Sequence, residues 1–137
     1  MAKVNMSTGL GVSADQLWNF MGSFNALPDW HPAVEKSELE EGGTIRRLHL
    51  VGGGEIVERL QQSDDDKQVY SYSILEGPLP VQGYVAEIRV RPDGDGCEVE
   101  WSSSFEPAGA SESDAMQAIQ DVYQAGFDNL KKIFGMR

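Results

Sequence analysis

Six successive segments between residues 34 and 107 alternate apolar and polar side chains, and this pattern limits the fold more than any other feature. A period of two is typical of a β-strand with one buried face. Short connections rich in Gly, Pro and Asp separate the segments, so neighbouring strands are expected to pair antiparallel in a meander. The predicted strands cover residues 34–40, 44–51, 55–63, 68–76, 82–92 and 96–106.

A long amphipathic helix is predicted after the last strand. Ser111 and Asp114 have the spacing of a helix N-terminal cap. A helix of about 23 residues is roughly 35 Å long, which is enough to cross the whole sheet. Apolar residues then recur at intervals of three and four, at Ala115, Ile119, Val122, Gly126, Leu130 and Ile133, with Met116, Tyr123, Phe127 and Phe134 widening the stripe.

The N-terminal third adds a strand at residues 4–10 and a first helix that begins after Ser13, which lies three residues before Gln16. Residues 24–32 are rich in turn formers and predict a second short helix or tight turns. The fold class is therefore α+β. We expect a curved antiparallel sheet of about seven strands around the C-terminal helix, with a concave apolar cavity between them, in one domain over residues 1–137.

Composition excludes several classes of function. The chain has 11 Lys and Arg against 22 Asp and Glu, a net charge of −11, which opposes binding to nucleic acids and anionic membranes. Its one cysteine excludes an internal disulfide framework and a multi-cysteine zinc site. Residues 52–54 lack the helix and the Lys that a phosphate loop needs, so no cofactor is predicted. The two histidines are not spaced as metal ligands, so no metal site is predicted either.

No segment approaches the roughly 20 apolar residues of a membrane-spanning helix, so membrane insertion is not expected. The first residues lack the apolar core of a secretion signal, and a cytoplasmic location is therefore expected. A monomer and a homodimer are both compatible with the sequence.

Two opposite charges lie on apolar strand faces. Alternation places Arg46 on the same face as Leu48, and Glu58 on the same face as Ile56. If the turn is centred on Gly52, Arg46 and Glu58 are direct cross-strand partners. An inward charge is costly unless it is paired, so one interpretation is a polar anchor at the bottom of a pocket. The alternatives are a solvated sheet edge or a register that differs by two residues.

Three further positions have two interpretations each. His31 is either an inward acid or base or a surface histidine that caps a turn. Asn129 either offers its amide to the sheet or bonds to water or a loop at the helix flank. Gly126 costs roughly 1 kcal/mol relative to Ala in mid-helix, which indicates a close backbone approach, room for a ligand, or a tolerated weak residue.

Several segments together resemble a known family. They are residues 27–32 (LPDWHP), 43–46 (GTIR), 58–60 (ERL), 70–74 (YSYSI), 76–80 (EGPLP), Tyr84 and 129–130 (NL). In this order the chain resembles, over essentially its whole length, the helix-grip fold of the START and birch-pollen-allergen superfamily (SRPBCC). The closer resemblance is to its bacterial polyketide cyclase/dehydrase-like branch.

The pattern is also similar to that of plant abscisic-acid receptors. That resemblance implies that His31 stands where those receptors place a ligand-pairing lysine. It further implies a gate at residues 52–54 and a latch at residues 77–80. Both loops differ from the receptors' loops, so binding of that hormone is not implied. By the same resemblance, the pocket-lining positions are Glu58, Tyr72, Ile74, Val81, Tyr84, Ala86, Ser103 and Asn129.

We therefore expect the chain to bind a small hydrophobic or amphipathic molecule, aromatic, polyketide-like or lipid-like. Pockets of this kind usually enclose about 300–1,000 Å³. The alternative is a cyclase or dehydratase that uses Glu58, His31 and Tyr84 for general acid–base catalysis. A third hypothesis is an accessory protein that binds a partner protein through its acidic surface and rim loops. The predicted ligand-binding residues are His31, Arg46, Leu48, Leu50, Glu58, Tyr72, Ile74, Leu79, Val81, Tyr84, Ala86, Trp101, Ser103, Val122, Gly126 and Asn129.

Overall fold

A computed structural model describes residues 1–136 and contains seven strands and three α-helices. The strands are β1 (Ala2–Leu10), β2 (Val34–Glu40), β3 (Ile45–Leu50), β4 (Glu55–Asp64), β5 (Val69–Glu76), β6 (Val81–Asp93) and β7 (Gly96–Pro107). The helices are α1 (Ala14–Met21), α2 (Leu27–Trp30) and α3 (Glu112–Phe134), and a 3₁₀ turn covers Glu41–Gly43.

The sheet is antiparallel with the order β1-β7-β6-β5-β4-β3-β2, so the six strands after α2 form the predicted meander. The first strand forms one edge of the sheet and pairs with β7, from Ala2 opposite Phe105 to Leu10 opposite Cys97. The sheet curves around α3, which packs on β1 and β7. The predicted helix-grip α+β architecture is confirmed.

Side-chain caps begin both longer helices where the sequence predicts them. Ser13 Oγ accepts a hydrogen bond from the Gln16 backbone N–H at 3.2 Å, and Ser111 Oγ accepts one from the Asp114 N–H at 3.1 Å. A cap of this kind stabilises a helix by about 1 kcal/mol. None of the helices within residues 1–136 is long and apolar enough to cross a membrane.

The buried face of α3 differs from the predicted stripe at its C-terminal end. Ile133 is 45% exposed, while Tyr123, Phe127 and Leu130 are buried. An α-helix has 3.6 residues per turn, whereas intervals of four and three average 3.5, so a stripe drawn at those intervals drifts away from the core. The inward position of the last turn belongs to Phe134, whose ring packs edge-on against that of Phe20.

Candidate functional site

A mostly apolar cavity of about 130 Å³ lies between the sheet, α2 and α3. Strands β3 to β7 supply most of its wall, and the segment after α2 closes one side. It is much smaller than the volume expected from the sequence, although it lies where the sequence places it. The lining residues are Leu27, His31, Ala33, Val34, Leu48, Leu50, Ile56, Glu58, Tyr72, Ile74, Leu79, Tyr84, Trp101, Ile119 and Val122.

Aromatic rings fill the rest of the interior and explain the small volume. Tyr123 of α3 stacks on Trp101 of β7 with 4.1 Å between ring centroids. Trp30 of α2 packs against the same Trp101 ring at 5.4 Å, and Tyr72 lies 6.0 Å from Tyr84. Each large ring fills space that a smaller side chain at the same position would leave open.

Three tyrosine hydroxyls form a chain from α3 to the cavity wall. Tyr123 hydrogen-bonds to Tyr84, and the Tyr84 and Tyr72 hydroxyl oxygens lie 3.3 Å apart. Trp101 Nε1 donates to the Tyr72 hydroxyl at 3.0 Å. Burial raises the pKa of Tyr72 and of Tyr84 well above the ordinary value, so both hydroxyls remain protonated at neutral pH.

The paired charges lie inside the protein in the predicted register. Arg46 and Glu58 are directly opposite on β3 and β4, and Arg46 Nε donates to Glu58 Oε1 at 2.7 Å. Arg46 Nη2 is also 2.7 Å from that oxygen, and the two side chains are 0% and 6% exposed. Burial raises the pKa of the Glu58 carboxyl, and the adjacent guanidinium opposes this increase. For Arg46, burial disfavours the charged form, but Glu58 together with Tyr70 and Tyr72 outweighs this effect, and the pKa is raised.

Only the carboxylate of this pair faces the cavity. Arg46 Nη1 donates to the Phe24 carbonyl oxygen at 2.6 Å, and its guanidinium lies 4.2 Å from the centre of the Phe24 ring. The same nitrogen is 3.4 Å from the Tyr70 hydroxyl. These contacts hold Arg46 behind Glu58, against the segment that joins α1 to α2, and outside the cavity wall.

A second group of contacts, here called the α2–α3 clamp, comprises Trp30, His31, Val122, Gly126 and Asn129. The Asn129 amide donates to the Trp30 carbonyl oxygen at 2.9 Å, and His31 Nε2 is 2.7 Å from the Val122 carbonyl oxygen. A Cβ built on Gly126 would lie 2.8 Å from Trp30 Cζ3 and 3.0 Å from His31 Cδ2. Glycine is therefore needed here because the rings of the clamp lie directly against the helix backbone.

The hydrogen bonds of His31 define its tautomer. A carbonyl only accepts, so Nε2 carries the proton and donates to Val122. Nδ1 then accepts from the Ala33 N–H at 3.2 Å. Burial lowers the pKa of His31, while the hydrogen bond to Val122 acts in the opposite direction. With both nitrogens engaged, the neutral ring joins the cavity rim to α3.

The lowered pKa of His31 predicts a loss of stability on acidification. The unfolded histidine takes up a proton near pH 6.5, and the folded one only at lower pH. Its contribution is therefore complete above pH 6.5 and is lost as the pH falls toward the folded pKa. In urea titrations, the free energy of unfolding should decrease by up to about 1.4 kcal/mol per pH unit from this group. His31→Gln should lack that component, and an unchanged pH dependence would contradict the assignment.

Several predicted ligand residues lie outside the cavity wall. Asn129 and Gly126 belong to the clamp, because their partners are the backbone and rings of α2. Ala86 lies opposite Ser103 and Tyr72 in the sheet, at a level where tyrosine rings fill the interior, so Ala86 and Ser103 do not reach the cavity.

Five wall residues are absent from the predicted set. Ile56 shares the strand face of Glu58, and Ile119 lies on the apolar stripe of α3 one turn before Val122, so both had a periodic signal. Leu27 lies in a four-residue helix, and Ala33 and Val34 lie between that helix and β2 or at the start of β2, where no pattern is long enough to assign an inner side.

An outer cleft of about 290 Å³ adjoins the cavity at the loop of residues 77–80. Val81, a predicted ligand residue, lies there and not in the inner wall. Glu76 and Gln82 supply its polar side chains. The cleft shares four wall residues with the cavity, namely Ile56, Ile74, Leu79 and Tyr84.

Within residues 1–136, no three side chains of His, Cys, Asp or Glu lie close enough together to hold a metal ion.

A curved antiparallel sheet that holds a long C-terminal helix over an internal cavity defines a protein of the helix-grip class. Within that class, the chain belongs to the family described as polyketide cyclase / dehydrase and lipid transport, whose model matches residues 1–135. The resemblance to the SRPBCC superfamily is thereby confirmed.

Solved structures share the fold over nearly the whole chain. The protein XoxI from Bacillus cereus is 36% identical, with a TM-score of 0.96 over 98% of this chain and 96% of that one. An uncharacterized protein from Bacillus thuringiensis is also 36% identical, with a TM-score of 0.95 over 97% and 98%. The Zhui aromatase/cyclase from Streptomyces sp. R1128 shares the fold at 21% identity, with a TM-score of 0.74 over 94% and 90%. No protein of curated function matches the chain.

Proposed function

We propose that this protein binds a small hydrophobic or amphipathic molecule in the cavity between its sheet and α3. The observation that carries the proposal is a mostly apolar cavity with a buried carboxylate in its wall. Its volume of about 130 Å³ suits one small ring. An apolar cavity of about 150 Å³ engineered in another protein binds benzene.

Movement of Leu79 would enlarge the site. Leu79 lies on the loop at residues 77–80 and contributes to the walls of both the cavity and the outer cleft. The 130 Å³ of the cavity and the 290 Å³ of the cleft would together make about 420 Å³. That volume lies within the range of about 300–1,000 Å³ that is usual for ligand pockets. We therefore assign the latch role to this loop, which would let a larger ligand extend from the cavity into the cleft.

Filling the cavity tests the proposal. Val122→Phe adds a ring to the wall, and we expect binding of toluene or indole to weaken at least tenfold, about 1.4 kcal/mol, while the fold is kept. Val85→Phe is the matched control, because Val85 is 48% exposed on the other face of the sheet. Chemical-shift perturbation of backbone amides measures both. Equal affinity in the two variants would place the ligand outside the cavity.

The alternative function is a cyclase or dehydratase reaction in the same cavity, and Glu58 is the observation that favours it. A buried carboxyl with a raised pKa can act as a general acid or base, and the adjacent Tyr72 or Tyr84 hydroxyl can polarise a carbonyl. His31 supports this alternative less, because both of its nitrogens are engaged. Mass spectrometry after incubation of the protein with an aromatic probe would distinguish turnover, which gives a new product mass, from binding.

We further propose that the chain acts as one ligand-binding domain over residues 1–137, in the cytoplasm, as a monomer or a homodimer. The family match over residues 1–135 supports the single domain.

A further inference from the structure

We infer that the site selects uncharged aromatic molecules that donate a hydrogen bond, such as phenols and anilines, and discriminates against carboxylic acids and other anions. The inference rests on the proposed function and specifies the chemical class of the ligand.

Glu58 supplies the acceptor for such a donor. Both contacts that Arg46 makes with Glu58 are to Oε1, and Oε2 accepts no hydrogen bond from any side chain or backbone group within residues 1–136. The side chain is 6% exposed, and Oε2 is not among its fully buried polar atoms, so this oxygen is open to a molecule in the cavity. A buried carboxylate with an open acceptor position gains free energy when a ligand donates to it.

The hydroxyl groups in the wall do not compete for that position. The Tyr72 and Tyr84 hydroxyls are hydrogen-bonded to each other. Tyr72 also accepts from Trp101, and Tyr84 is also hydrogen-bonded to Tyr123. His31 directs its one proton to the Val122 carbonyl. Glu58 Oε2 therefore remains as an acceptor for a ligand in the cavity.

Positive charge is missing where an anion would need it. No lysine or arginine within residues 1–136 lines the cavity or the cleft, and Glu76 is the charged residue of the cleft. Arg46 lies behind Glu58 and directs Nη1 to the Phe24 carbonyl oxygen. An anionic ligand would lose its hydration and face two carboxylates, and the chain as a whole carries a net charge of −11.

Three probes that share the toluene ring and methyl group test the inference at neutral pH. p-Cresol carries a hydroxyl donor, toluene lacks it, and p-toluate carries a negative charge. We expect p-cresol to bind at least tenfold more tightly than toluene, and p-toluate at least tenfold more weakly than toluene, measured by amide chemical shifts and calorimetry. Equal affinity of p-cresol and toluene, or of p-toluate and p-cresol, would overturn the inference and leave the proposed function in place. Failure of all three to bind would reject the proposed function itself.

A variant without either charge separates the effect of Glu58 from that of shape. Glu58→Gln alone leaves Arg46 without its counter-ion and risks unfolding, so the variant is Arg46→Met combined with Glu58→Leu. In this variant p-cresol should lose its preference over toluene to within about threefold, while toluene binding shows that the cavity is intact. A preference that persists at tenfold would contradict the role of Glu58.

Discussion

Glu58→Leu is expected to lower the free energy of unfolding by about 3–5 kcal/mol, because it leaves a buried guanidinium without a counter-charge. Arg46 is fully buried, and its ion pair is with Glu58. Arginine does not lose its proton in a protein, so the variant has no inexpensive way to remove the charge. Urea denaturation followed by circular dichroism measures the loss.

Arg46→Met should cost less than Glu58→Leu. The remaining carboxyl can take up a proton, and burial already raises its pKa. Without the guanidinium the folded pKa rises further, so the stability of this variant is greatest below the unfolded value of 4.5 and falls as the pH rises through the folded pKa. Glu58→Leu should not show that pH dependence of stability, which distinguishes the two single variants.

The double variant decides whether the two residues act as a unit. A buried ion pair replaced by apolar residues of similar volume is often neutral or stabilising, so Arg46→Met with Glu58→Leu should recover most of the loss. The hydrogen bond from Arg46 to the Phe24 carbonyl is not restored, which leaves a residual cost of about 1–3 kcal/mol. Additive losses in the double-mutant cycle would show that each residue acts through other partners.

The sheet register could be predicted because a strand has a period of two and a tight turn fixes the pairing. Gly52, Gly53 and Gly54 all adopt positive φ values, from 88° to 105°, which glycine reaches without strain. That turn places Arg46 opposite Glu58 as the sequence predicts. The class of fold follows from the same pattern, because six strands joined by short turns can hardly pair other than antiparallel.

The partners of individual polar residues could not be predicted. Asn129 and His31 both bond to backbone carbonyls, and a carbonyl has no signature in the sequence. Alternation shows that Arg46 faces inward but not that it turns toward Phe24 and away from the cavity. The cavity volume depends on how Tyr123 and Trp101 stack across the interior, which is a property of packing and not of periodicity.

Gly126→Val is expected to be the most damaging single change in α3, with a loss of about 3 kcal/mol or more in the free energy of unfolding. Its Cβ alone would lie 2.8 Å from Trp30 Cζ3 and 3.2 Å from Trp101 Cζ3. Trp30 is 0% exposed and Trp101 2%, so neither ring has open space to move into. The branched side chain adds two carbons to that contact and would push α2, with the His31 wall of the cavity, away from α3.

Gly126→Ala separates overpacking from helix propensity. Alanine favours the helix by about 1 kcal/mol over glycine, while overpacking a dense core costs about 1–3 kcal/mol, so a smaller net loss is expected. Gln124→Val is the matched control, because it places the same residue on the exposed face of α3 and should cost only a few tenths of a kcal/mol, about the difference in propensity. A Gly126→Ala protein more stable than the parent would mean that the rings of the α2–α3 clamp move aside without cost, and the clamp could then not be what holds the cavity rim to the helix.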